Sequence, residues 1–143
     1  MSRLNILVSC LFSFLFLLHY APGAIAEDAR KDCRLCGMWI DQYMHTRHVL
    51  TEANGSRVSF CSFTCAAKYI KKHEPDVKQL QAADYLTAEL VDVEETFYLV
   101  GSEAPPVMGY TSIIAFANIK AAKNFQKLHG GKIMTFNEVI SQY

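Results

Sequence analysis

The chain has 143 residues, with 14 Lys+Arg balanced by 14 Asp+Glu and 51% hydrophobic residues. A neutral chain of this kind has no electrostatic footprint for nucleic acid or for an anionic membrane surface. It also lacks Gly-x-Ser-x-Gly, His-Glu-x-x-His and a phosphate-cradling glycine loop, so the enzyme classes those motifs mark are excluded, and no enzyme or small-molecule substrate is expected.

Residues 1–26 read as a secretory signal peptide. Arg3 is the one charge before Glu27, residues 6–18 are apolar apart from Ser9, Cys10 and Ser13, and Pro22-Gly23 breaks the helix ahead of a small-x-small cleavage site, Ala24-Ile25-Ala26. Leu7-Val8-Ser9-Cys10 resembles a lipoprotein cleavage box but comes too early, with most of the apolar core after it. An uncleaved membrane anchor is the alternative, although the stretch is short for a span and is followed by His19. The reading predicts an exported, periplasmic protein. Residues 27–32 form a charged flexible leader, and residues 33–143 form one compact domain, large enough for a core without needing disulfides to fold.

Beyond the leader the pattern from Met38 reads as extended. Asn54-Gly55 marks a two-residue hairpin between strands at 48–51 and 58–60. Ser62 is an N-cap for a helix to about His73, with Phe63, Ala66, Ala67 and Ile70 on one face and Pro75 past its end. Residues 79–85 read as a turn of helix and 88–92 as a strand. Residues 97–100 and 112–116 read as strands flanking a loop with Pro105-Pro106. Asn118 caps a second helix with Ala121, Ala122, Phe125 and Leu128 inward, Gly130-Gly131 ends it, and 132–136 is a closing strand. A shift of 56 residues places Phe60 on Phe116, Ala66 on Ala122, Tyr69 on Phe125 and His73 on His129. The expected fold class is therefore α+β, with two tandem ββαβ-like repeats (about 33–88 and 89–143) packed as one domain.

The chemistry sits in the cysteines. Cys33-Arg34-Leu35-Cys36-Gly37-Met38 is answered by Cys61-Ser62-Phe63-Thr64-Cys65. Thiolate and thioether are soft donors suited to Cu(I), and in an extended segment Cys36 and Met38 point the same way. Cys61 and Cys65 flank a helix start, where the dipole favours thiolate. Met108 lies in a stiffened Pro-Pro-x-Met-Gly loop. The spacing leaves three readings open: a metal site, with Cu(I) or a closed four-thiolate Zn²⁺ centre; structural disulfides; and a thiol redox pair at Cys33 and Cys36. The last is weakened because residues 37–40 look extended, whereas such a pair ordinarily opens a helix.

The succession Cys36-Gly37-Met38, Phe60-Cys61-Ser62, Phe97-Tyr98-Leu99-Val100-Gly101-Ser102, Met108-Gly109, Ala115-Phe116 and Gly130-Gly131 resembles the NosL-type nitrous oxide reductase accessory proteins over residues 33–140. The resemblance implies an exported copper-binding metallochaperone that delivers Cu(I) to a copper-accepting enzyme, or to its membrane assembly machinery, with nitrous oxide reductase as client. It also implies that Cys36 and Met38 match the family's Cys-x-Met element and that Met108 matches its later Met-Gly. Cys33, Cys61 and Cys65 are additional to that set; they enlarge the site, turn it toward Zn²⁺, or form disulfides.

Overall fold

The computed structural model describes residues 31–143, so the expected signal peptide and most of the expected leader lie outside the described residues. The elements run β1 (His48–Glu52), β2 (Arg57–Phe60), α1 (Phe63–His73), β3 (Val77–Ala83), β4 (Leu90–Asp92), β5 (Phe97–Val100), β6 (Ile113–Phe116), α2 (Ile119–His129), β7 (Lys132–Met134) and α3 (Phe136–Ile140). Among the described residues, two 3-10 turns, Ile40–Gln42 and Val93–Glu95, punctuate the chain.

The strands form two antiparallel sheets, ordered β2-β1-β3-β4 and β6-β5-β7. Each sheet is built the same way. The first strand of a hairpin is central, its hairpin partner lies on one side, and the strand that follows the helix lies on the other. The registers match, with His48 opposite Phe60 in one hairpin and Phe97 opposite Phe116 in the other. The α+β class and the strand–strand–helix–strand order used twice are thus present. β4 lies beyond the first repeat's boundary at about 88, yet it completes the first sheet by pairing with β3.

The N-caps are as read: Ser62 Oγ accepts from Cys65 N–H, and Asn118 accepts from Lys120 and Ala121 N–H. Several local expectations fail, one of them only in part. Residues 79–85 are not helical: Val77–Ala83 is a strand, because β1 offers it a full antiparallel ladder from His48–Ala82 to Thr51–Gln79. Residues 37–40 are extended only in part: Trp39 is extended and bridges Asp32 antiparallel, whereas Gly37 N–H closes a turn on Cys33 O and Ile40 begins the 3-10 turn. Phe136 leaves the closing strand because Thr135 and Glu138 form a reciprocal capping box that starts α3. Leu128 is 76% exposed, since the second apolar cluster ends at Phe125, one turn earlier. The hairpin turn is also longer than two residues: Gly55 N–H bonds Glu52 O, and Glu52 N–H bonds Ser56 O.

Two apolar clusters hold the elements together. The larger gathers Leu50, Phe60, Phe63, Ala66, Ala67, Leu80 and Tyr98 around the first sheet, and the smaller gathers Leu99, Ile114, Phe116 and Ala122. Tyr98 of β5 belongs to the larger cluster and meets Phe63 edge-on at 5.3 Å, so the second repeat plugs into the core of the first. Burying an aromatic side chain of this kind contributes roughly 1.5–3 kcal/mol. Asp84, at the end of β3, ties the sheets further: its carboxylate accepts from Leu86, Thr87 and Ala117 N–H, and Tyr85 N–H bonds Ala115 O.

Candidate metal centre

Cys33 and Cys36 lie on a knuckle ahead of the first sheet. Gly37 N–H closes it on Cys33 O, Cys33 N–H bonds Met38 O, and Gly37 adopts φ +76°, a left-handed conformation that favours glycine. Arg34 N–H donates to Ser59 O, fastening the knuckle to the outer side of β2. That strand leads directly into Cys61, at the corner before α1, and Cys65 follows one turn into the helix. Thr46 Oγ donates to Cys61 O at 2.8 Å, which fixes the corner.

The result is a cluster that brings all four sequence-predicted cysteines together. Their Sγ atoms lie within 4.8 Å of one another, with Cys36–Cys61 and Cys61–Cys65 both at 3.6 Å. All four are free thiols; Cys33, Cys61 and Cys65 are buried, and Cys36 is half-buried. Hydrogen bonding from Cys61 and then Cys65 lowers the pKa of the Cys33 thiol. The same contact with Cys33 pushes Cys61 far up and Cys65 up to about 12, because each is a donor whose burial further disfavours charge. Metal–thiolate bonds of about 2.3 Å place tetrahedral sulfurs about 3.8 Å apart. The cluster therefore needs only slight contraction to surround one soft ion, Cu(I) or Zn²⁺.

The two methionines are placed differently. Met38 is half-buried against the main cluster, immediately after the knuckle. Met108 is 39% exposed with φ +58°, on the 101–112 loop. That loop is pinned at its stem by Gly101 N–H to Ser112 O, and Val107 packs on the main cluster. At Gly109 an added Cβ would sit 3.7 Å from Thr64 Oγ1, so the loop crosses to the first turn of α1, next to Cys65. Met44 receives the Arg47 guanidinium, and Met134 is core.

The histidines are occupied elsewhere. His45 Nδ1 bonds Tyr85 O, and His48 is buried between Thr46 O and Tyr98 OH. Sequence reasoning missed Thr46 as a support for the cysteine corner; no spacing rule marks it. The 56-residue shift places Ala117 and Ala121 where the first repeat has Cys61 and Cys65, so the four clustered cysteines belong to the first repeat.

Among protein families, the NosL model matches residues 24–143. The copper-binding lipoprotein NosL of Stutzerimonas stutzeri is 26% identical over 127 residues, which cover 80% of this chain; the chain spans 65% of that relative's length. The crystal structure of the copper chaperone NosL from Shewanella denitrificans has 25% sequence identity and a TM-score of 0.66, covering 82% of this chain and 94% of that one. These relatives are named as copper-binding proteins and not as enzymes.

Proposed function

This chain belongs to the NosL family, and from that premise we propose that it is an exported carrier of Cu(I), which it hands to a copper-accepting enzyme or to the membrane machinery assembling one, with nitrous oxide reductase as client. The observation that carries the reading is the cluster of four thiols within 4.8 Å, three of them buried and one open to the surface. Buried thiols raise affinity for a soft ion, and a single open thiol leaves it a way out. Cys33, Cys36, Cys61 and Cys65 are the primary ligands in this reading. The thioethers of Met38, beside the knuckle, and Met108, on the loop over α1, are outer donors that favour copper over harder ions. The signal-like residues 1–26 support export. No helix among the described residues is long and apolar enough to cross a membrane.

Anaerobic competition with bicinchoninate tests this. The metal-free reduced protein takes a single Cu(I), and Cys61→Ser, which removes the thiol touching both Cys36 and Cys65, weakens binding by about a hundredfold or more. Unchanged affinity in that variant, or no Cu(I) uptake by the wild type, defeats the proposal.

A resident Zn²⁺ is the second reading, favoured by the presence of four thiols, the complement of a closed tetrahedral site. Protein that retains zinc when offered both metals, and does not exchange it for Cu(I), decides for it.

A further inference from the structure

Cys36 Sγ lies 3.6 Å from Cys61 Sγ, although the two cysteines are 25 residues apart in the chain. Their segments are already held together two residues before each of them, where Arg34 N–H donates to Ser59 O at 2.9 Å. A disulfide needs about 2.05 Å between its sulfurs, so the remaining approach is short. It falls to the knuckle, a turn that Gly37 closes with φ +76°. Cys61 is equally near Cys65, but those two are both 0% exposed, and Cys33 is 1% exposed. Cys36 is the one member of the four that is not buried. A disulfide reagent bonds one thiol before a second can displace it, so Cys36 reacts first and Cys61, in contact with it, resolves the adduct.

We propose that the metal-free site closes on itself as a Cys36–Cys61 disulfide, and that reduction by a dithiol donor must then precede its loading with metal. The loading half of this inference rests on the copper reading above; the pairing does not.

The oxidant is a disulfide, of the class that exported thiols meet. Cys36 attacks one of its sulfurs, the oxidant's S–S bond breaks, and one thiol leaves with the proton that Cys36 gave up. Cys61 then attacks the Cys36 sulfur of the mixed disulfide, and the second thiol leaves with the Cys61 proton. Two electrons have passed from the cysteine pair to the oxidant. A dithiol reverses both steps and ends as a disulfide itself. Disulfide sulfurs carry no thiolate charge, so closure reduces the cluster from four potential thiolate donors to two, Cys33 and Cys65. A soft ion acts the other way, since sulfurs engaged as metal thiolates are withheld from the oxidant.

The experiment offers oxidised glutathione to the reduced, metal-free protein, with and without prior loading with Cu(I). Trypsin cuts after Arg34 and chymotrypsin after Phe63, so a double digest puts the four cysteines on separate peptides for mass spectrometry. The metal-free protein yields an intramolecular Cys36–Cys61 disulfide, with Cys33 and Cys65 still open to alkylation after unfolding. In bicinchoninate competition this oxidised form binds Cu(I) about a hundredfold more weakly than the reduced form or worse. Treatment with dithiothreitol, removed before the measurement, restores the affinity, and the Cu(I)-loaded protein oxidises about tenfold more slowly than the metal-free one or slower. A different main pairing, glutathione left attached to Cys36, or no oxidation at all overturns the proposal. So does an oxidised form that keeps its Cu(I) affinity, or a loaded protein that oxidises as fast as the metal-free one. Reduced protein that binds no Cu(I) defeats the copper reading instead, and the digest still decides the pairing.

Discussion

The buried imidazole of His48 makes the stability of this protein depend on pH over a defined range. The ring is 2% exposed and lies between Phe63 and Tyr98. Thr46 O can only accept, so Nδ1 carries the proton and Nε2 accepts from Tyr98 OH; the ring is the neutral Nδ1–H tautomer. Desolvation pushes the pKa from the ordinary 6.5 down to about 4, against a smaller opposing effect of the Thr46 carbonyl. Between those values the unfolded chain binds a proton that the folded chain refuses. The stability it contributes is thus full above about pH 6.5 and is lost as pH falls toward 4. The gap corresponds to about 3 kcal/mol, a large share of the stability of a small domain. Urea unfolding of the metal-free, reduced protein at about pH 7 and about pH 4.5 reads it directly. The variant His48→Gln, neutral throughout, starts less stable through lost ring packing but loses about 2–3 kcal/mol less across the interval. An equal loss in wild type and variant would refute the assignment.

Three further outcomes follow from the packing. Gly131→Ala lowers stability by more than about 2 kcal/mol in thermal unfolding, because φ is +93° and the new Cβ would meet Ser102 N and Val100 O at 2.9 Å. Asp84→Ala costs about 3 kcal/mol by orphaning three backbone donors; burial alone would raise this carboxyl, but the Ala117, Thr87 and Leu86 amides outweigh it and hold it below its ordinary value. Its contribution is present at neutral pH and lost only as pH falls through that depressed pKa, which acid titration of unfolding detects against the variant. Met108→Leu weakens Cu(I) binding by about three- to tenfold in chelator competition while leaving the melting temperature nearly unchanged, since the side chain is 39% exposed and the replacement keeps its size.

Helix starts and hairpin strands were legible because their signals are local. Ser62 and Asn118 cap through their own side chains, and Asn54-Gly55 turns the chain wherever it stands. The strand at Val77–Ala83 was not legible: Lys78, Gln79, Leu80, Gln81, Ala82 and Ala83 are all good helix formers, and only the distant ladder with β1 overrides that preference. The Thr135–Glu138 capping box, by contrast, was present in the sequence as Thr-x-x-Glu and goes unread if the preceding strand is simply extended through Phe136. At the site, residue types and spacing located the four cysteines. Spacing could not say that Cys33 and Cys65 are sealed while Cys36 is half open, because that depends on where β2 anchors the knuckle.

That anchoring has a second effect. β2 is an outer strand of the first sheet, and an outer strand offers free carbonyls and amides to any other chain that can lie alongside it. Here Arg34 N–H already occupies Ser59 O, so the segment bearing two of the thiols covers part of that edge. Loosening the knuckle, for example by alkylating its thiols, is therefore expected to expose more of that edge, so the sulfur site and the sheet edge share one short segment of chain.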